Sequence, residues 1–368
     1  MEVKQWKDIL HIVSGKNQRA VENPNGKYPI YGSGGLIGYA DDYLCEAGTT
    51  IVGRKGTINR PIFVTEPFWN IDTAFGIVPD KGLNQKYLYY FCNHFNFMPL
   101  DKSTGRPSLA KSDLLKIKMP VPPLAEQQRI VNRIEEMFSQ LDAGVETLKK
   151  TKAQLAVYRQ AVLKEAFDSV FGFGTVNIES LCSNIVDCPH STPKWSEDGC
   201  LCLRTTNFKR GKLDLTVKNY VTKATFDKRN ARLVPLPGDV LYSREGAILG
   251  IACIIPKDTY VCLGQRMMLL RTGEKLHNRY LMYFLNSPSV TNYVATITGG
   301  SASPHVNVGD IKAFMIPCPD IEIQKSIVMA IDNRFSVCDS IEQTVDTALL
   351  QSEAMRQSIL KAAFTEGL

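Results

Sequence analysis

The chain contains one segment twice, and that duplication restricts its possible folds more than any other feature. Pro120-Val121-Pro122 returns 197 positions later as Pro317-Cys318-Pro319, and Ala125-Glu126-Gln127 as Glu322-Ile323-Gln324. At the same offset, Tyr158-Arg159-Gln160-Ala161-Val162-Leu163-Lys164-Glu165-Ala166-Phe167 returns as Met355-Arg356-Gln357-Ser358-Ile359-Leu360-Lys361-Ala362-Ala363-Phe364. Between these ends Val131, Ile134, Phe138, Leu141, Val145 and Leu148 recur at alternate steps of three and four. That spacing is a heptad seam on one helix face. The second copy carries Val328, Ile331, Phe335 and Cys338, then Val345, Ser352, Met355 and Ile359. Pro122 and Pro123 stand where proline ends one element and admits the next. A helix from Leu124 to Ser169 is predicted, roughly 69 Å long at 1.5 Å per residue.

The repeat extends upstream in weaker form. Lys86-Tyr87-Leu88-Tyr89-Tyr90-Phe91 parallels Arg279-Tyr280-Leu281-Met282-Tyr283-Phe284, and Gly53-Arg54-Lys55-Gly56 parallels Ser243-Arg244-Glu245-Gly246. The expected architecture is α+β, with two pseudo-symmetric repeats, each a mixed globular head followed by a long helix. The divisions are a head over 1–121, a helix over 122–174, a second head over 175–318 and a second helix over 319–368. A heptad seam cannot stay in water, and the simplest solution pairs the two helices with each other. An antiparallel coiled coil is expected. A parallel pair is the rival and needs a long return path.

At 368 residues there is room for two or three domains. A formal net charge of +6 permits a nucleic-acid partner without demanding one. No run approaches 18 apolar residues, so a soluble cytoplasmic chain is expected, with no membrane partner. Ten cysteines are scattered singly, many inside apolar runs, as buried thiols in a reducing compartment would be. Cys182, Cys188, His190, Cys200 and Cys202 lack the paired spacing of a structural zinc site, and no metal is expected.

The heads carry basic and polar turns suited to DNA. Arg54 and Lys55 sit on a glycine-bounded turn, where cations can reach a phosphate or a guanine edge. The loop from Asp101 to Leu109 offers Arg106 and Ser108, and its counterpart from Thr298 offers Ser303 and Asn307. In the second head Arg204, Thr205 and Asn207 follow a strand-like run, Lys209 opens a basic turn, and Arg244 and Gln265 complete the candidates. Arginine suits guanine and asparagine suits adenine. A solvated charged turn is the plain alternative for any one of them. Catalytic constellations are missing: His11, His94, His190, His277 and His305 are dispersed, and no phosphate-binding loop, nucleophile elbow or methyltransferase loop is present.

These residues resemble the specificity subunit of type I restriction-modification systems. The marks are Pro120 to Val131, the copy at 317–328 and the Tyr158 to Phe167 terminus. To these are added Tyr28-Pro29-Ile30-Tyr31-Gly32, the Arg54 turn, Arg204-Thr205-Thr206-Asn207 and Pro237-Gly238-Asp239-Val240-Leu241. The likeness covers essentially the whole chain. The second copy departs from it, with Glu322-Ile323-Gln324-Lys325-Ser326 at the helix start. The resemblance implies two target recognition domains, each reading one half of a bipartite asymmetric target in duplex DNA. It implies helices that fix the gap, and a subunit that is itself non-catalytic and holds no cofactor. Two methyltransferase subunits using S-adenosylmethionine are the implied partners, together with restriction subunits using ATP and magnesium. Glu126, Gln127, Arg129, Arg133, Arg159, Gln160, Gln324, Arg356 and Gln357 are the expected spacer and partner-docking residues. A two-headed scaffold that binds proteins instead of DNA is the competing reading.

Overall fold

Proline ends the strand Lys118–Pro120, which pairs antiparallel with Val3–Gln5, Val3 lying opposite Pro120. The same device recurs where Met315–Pro317 pairs with Thr175–Asn177. Each of these strands leads into a 45-residue helix, Leu124–Asp168 or Ile321–Thr365. The computed structural model describes residues 2–299 and 304–365. It divides into two compact units. One holds the chain up to Lys149 together with the residues from Asp346 onward, and the other is Lys150–Val345. The boundary thus cuts through both long helices, whereas the divisions read from the repeat fall at their ends.

In the first unit a four-stranded antiparallel sheet has the order Leu10–Ser14, Ala74–Pro79, Thr49–Gly53, Ile62–Val64. Thr49–Gly53 is buried along its whole length, as a central strand covered on both faces must be. A three-stranded sheet carries Tyr28–Gly32 between Gly35–Ala40 and Trp69–Asn70, the last pairing being parallel. The helix Gln85–His94 is capped by Asn84, whose side chain accepts from Lys86 N and Tyr87 N. Its buried face carries Tyr87, Leu88, Phe91 and Cys92. That face packs with Trp6, with Ile130, Val131 and Ile134 of the first long helix, and with Ile359, Leu360, Ala363 and Phe364 of the second. Phe364 lies 5.1 Å from the Tyr87 ring and 5.5 Å from the Phe91 ring. Burying a side chain of that size contributes about 2–3 kcal/mol.

The second unit repeats the plan. Its four-stranded sheet has the order Cys182–Asp187, Met267–Thr272, Val240–Ser243, Ala252–Ile254. A parallel pairing sets Cys202 opposite Cys262, as Ile30 lies opposite Trp69 in the first unit. The helix Asn278–Leu285 packs with Val162, Leu163 and Phe167 of the first long helix and with Val328 and Ile331 of the second. Phe167 is 5.0 Å from Tyr280. Lys209 and Lys212 face each other on a short hairpin that turns at Gly211, φ +80°.

The seam residues divide by position. Val131, Ile134, Val328, Ile331, Cys338, Val345 and Ile359 are buried. Phe138, Leu141, Val145, Leu148, Phe335 and Ser352 are half-buried. Met355 is a correction: it is 55% exposed, and its neighbour Arg356 turns inward instead, over the Phe138 ring at 4.7 Å. All ten cysteines are free, and burial pushes the Cys45 and Cys182 thiols up to about 12. Among the described residues no group of three or more His, Cys, Asp or Glu is placed to hold a metal ion, and no helix is long and apolar enough to cross a membrane.

Candidate nucleic-acid interface

In the first unit the Gly53-Arg54-Lys55-Gly56 turn and the Asp101–Leu109 loop form one surface. Gly56 N donates to Pro107 O at 2.8 Å, Leu109 N donates to Arg54 O at 2.8 Å, and Lys55 pairs with Ser108. The turn is also tied to the sheet, because Arg54 N and Lys55 N both donate to Thr73 O, at 2.8 and 3.1 Å. Gly56 has φ +84°, and a Cβ there would lie 2.8 Å from the Arg106 guanidinium. Glycine is therefore required twice over, by its backbone and by the cation above it. The Asp101 carboxylate holds the loop, accepting from Ser103 N, Ser103 Oγ and Ser108 N. Those hydrogen bonds keep its pKa below the ordinary value. Arg54, Lys55, Arg106 and Ser108 are thus brought together. Lys55 and Arg106 are exposed, and Arg54 is half-buried with its guanidinium 5.6 Å over the Phe75 ring.

The second unit builds the same frame. Gly246 N donates to Pro304 O at 2.8 Å and Val306 N to Arg244 O at 2.9 Å, while Gly246 has φ +88°. The side chains on the frame differ. Arg244 is a correction to the expected DNA contact. It is 8% exposed and donates to both oxygens of Asp187, at 2.9 and 3.0 Å. Burial alone would lower its pKa, but the hydrogen bonds and charge of Asp187 outweigh that and raise it. The guanidinium is held in a largely buried pair, and removing it would leave the Asp187 carboxylate without its arginine. His190 Nε2 lies 3.0 Å from the same Asp187. Gln265 braces this loop, donating to His190 O at 2.6 Å.

Asn207 is a second correction. It is 4% exposed, and its amide accepts from Arg204 N and donates to Asp214 O and Val217 O. It therefore shapes a loop and offers no free edge to a base. Arg204 remains exposed, 5.5 Å over the half-exposed Trp195 ring. Thr205 is half-buried and Lys209 exposed. Asn307 is exposed and donates to Asp310 at 3.1 Å. Ser303 lies outside the described residues. Sequence reading also missed the role of Arg229, which is 8% exposed and donates to the carbonyls of Leu263, Gly264, Pro189 and Ser191. Its position in a charged stretch gave no sign of that, because carbonyl acceptors carry no sequence signature.

On the helices, Gln127 and Gln324 are corrections to the docking expectation. Both are fully buried. Gln127 accepts from Asn84 N at 2.7 Å and donates to Gly82 O and Pro122 O. Gln324 accepts from His277 N at 2.9 Å and donates to Lys275 O and Pro319 O. Each amide locks the helix start to its own head and has no bond left for a partner. Arg159 and Arg356 are also engaged inside their units, with Asp339 and Asp142 respectively. Gln160 is half-buried and Gln357 exposed. The exposed pairs Glu126 with Arg129 and Arg133 with Glu136 lie along the first helix.

The family model for the type I restriction modification DNA specificity domain matches residues 1–156 and 204–351. The EcoBI specificity subunit of Escherichia coli is 26% identical over 345 residues, covering 85% of this chain and 72% of that one. The MjaVIII specificity subunit of Methanocaldococcus jannaschii is 22% identical over 325 residues, covering 82% and 73%. Two solved chains share the fold. One comes from work on complex assembly and conformational transition of the type I R-M system, with a TM-score of 0.72, 16% identity and coverage of 100% and 98%. The other is the HsdS subunit from Thermoanaerobacter tengcongensis, with a TM-score of 0.51, 16% identity and coverage of 100% and 97%. With the family model matching most of its length, this chain belongs to the family of type I restriction-modification DNA specificity subunits.

Proposed function

We propose that each head reads one half of a bipartite, asymmetric duplex DNA target, and that the two long helices set the gap between the halves. The observation that carries this reading is the turn-and-loop frame built twice with different side chains. Arg54, Lys55, Arg106 and Ser108 stand on one copy; on the other stand Glu245 and His305, with Arg244 turned inward to Asp187. A common frame with different side chains suits the reading of two different words. Polar and charged loops on a fixed scaffold can vary without disturbing the core beneath them.

The helices are proposed to pack as an antiparallel coiled coil. In support, the last turns of the second helix pack beside Ile130, Val131 and Ile134, near the start of the first. Reciprocally, the last turns of the first pack beside Val328 and Ile331 of the second. The subunit is non-catalytic. Methyltransferase subunits that methylate adenine in each half-site, and restriction subunits in the full complex, are the proposed partners. The exposed polar faces around Glu126, Arg129, Arg133 and Gln357 are where they would dock. S-adenosylmethionine, ATP and magnesium would belong to those partners.

The test is methylation mapping in cells that express this chain with its methyltransferase partner. A two-part motif, with modified adenine in each half and a fixed gap, is expected. Inserting one heptad into both helices should widen the gap and leave both words intact. A single continuous motif, or no modification dependent on this chain, would refute the reading.

A further inference from the structure

We infer that Arg266 is the cation that the second head presents to a DNA phosphate, in the place that Arg106 occupies in the first. This rests on the DNA-reading function proposed above. The two frames match bond for bond: Gly56 N to Pro107 O and Leu109 N to Arg54 O correspond to Gly246 N to Pro304 O and Val306 N to Arg244 O. In the first frame the guanidinium above the turn glycine belongs to the loop residue Arg106. In the second it comes from another segment. A Cβ on Gly246 would lie 3.2 Å from Arg266 Nη1, as one on Gly56 would lie 2.8 Å from Arg106.

The backbone around Arg266 is built to hold it there. Its φ is +67°, a left-handed conformation that is unfavourable for a residue other than glycine. Such strain persists only where the surroundings over-determine it. Three contacts do so. Arg229 grips Leu263 O and Gly264 O at 2.6 Å each, Gln265 is tied to His190 O, and Arg266 O accepts from Arg244 N at 3.0 Å. Gly264 is pressed against Leu203 O, so no larger residue fits at that point. Meanwhile the Arg266 side chain is 52% exposed, and its ion pair with Glu245 is loose at 3.6 Å. Arg244, the position the repeat aligns with Arg54, is occupied by Asp187. A fixed backbone, an exposed guanidinium and a side-chain-free glycine beneath it suit close approach of a phosphate.

The experiment uses the complex reconstituted with its methyltransferase partner, and a linear mixed-sequence duplex titrated across a salt series. Arg266→Gly removes the guanidinium and eases the backbone, and Arg266→Gln and Arg266→Lys complete the set. Arg266→Gly and Arg266→Gln are expected to bind about tenfold more weakly, with the logarithmic salt slope shallower by about one, while Arg266→Lys keeps most of both. Melting temperature should not fall in the glycine variant, which separates lost contact from lost fold. If Arg266→Gly binds like the parent with an unchanged slope, while Lys55→Ala weakens binding, the inference fails and DNA reading survives. If the parent complex does not bind duplex at all, the proposed function fails first.

Discussion

Arg159 of the first long helix donates to Asp339 of the second at 2.7 Å, with its guanidinium 5.2 Å over the Phe335 ring. The other unit holds the reciprocal set, in which Arg356 of the second helix pairs with Asp142 of the first over Phe138. All three positions are related by the 197-residue offset of the repeat. Burial alone would lower the Arg159 pKa, but the hydrogen bond and charge of Asp339 more than compensate and raise it. Asp339 is 72% exposed, so screening keeps the ion pair weak and the arginine–ring contact is comparable to it. Arg159→Ala is expected to cost about 1 kcal/mol in urea unfolding, and Asp339→Ala clearly less. Equal losses would show that charge, and not packing on Phe335, holds the contact.

Gln127 and Gln324 anchor each helix to its own head. Gln127→Ala leaves Asn84 N, Gly82 O and Pro122 O without their partner in a buried site. A loss of about 2–3 kcal/mol is expected, with faster amide exchange at Asn84. Gln128→Ala, on the exposed side of the same turn, should change stability by well under 1 kcal/mol.

Arg244→Met should destabilise its unit by about 3 kcal/mol, because Asp187 is left as a largely buried charge. The double variant Arg244→Met with Asp187→Leu should recover part of that loss. If the single variant melts like the parent and DNA binding alone falls, Arg244 is a DNA contact after all.

Acid should weaken both units through two half-buried histidines. His94 stacks on Phe364, and burial, followed by the Lys361 charge, lowers its pKa below the usual 6.5. His277 is lowered by burial, then by Arg279 and Lys325. A base depressed in the folded state binds fewer protons there than in the unfolded chain. Stability from this source is therefore full above pH 6.5 and is lost as pH falls through the folded-state pKa values. Melting temperatures between pH 7.5 and pH 5 should fall, and His94→Gln should flatten the part due to its unit. A parent melting temperature that holds or rises as the pH drops would exclude this linkage.

In the first head, neutralising Arg54, Lys55 and Arg106 together should weaken duplex binding by the complex and flatten its logarithmic salt slope by about 2–3. An unchanged slope would mean that this surface does not face DNA.

Much of this was legible in the sequence. The helices were, since a heptad seam following a proline-marked strand end is a local pattern and repeating it at one offset leaves little freedom. The Arg54 turn and the Arg106 loop were legible as polar, glycine-marked segments. Their union was not, because it depends on the hydrogen bonds from Gly56 to Pro107 and from Leu109 to Arg54. Reading Gln127 and Gln324 as docking residues failed for a related reason. A polar residue in a helical signature looks like a surface group until the head folds over it.

The amino-acid order by itself determined the duplication, the two long helices, the apolar face each must bury and the family. These depend on periodicity and on identity at fixed offsets, which one dimension contains. Tertiary structure decided which cations are available. Arg54 and Arg244 occupy equivalent turns, yet Arg244 is buried with Asp187, 57 positions away, while Arg266 takes the exposed place above Gly246. Whether an arginine faces solvent or a carboxylate depends on which distant strand folds beside it, and chain closure settles that, not the residues on either side of it.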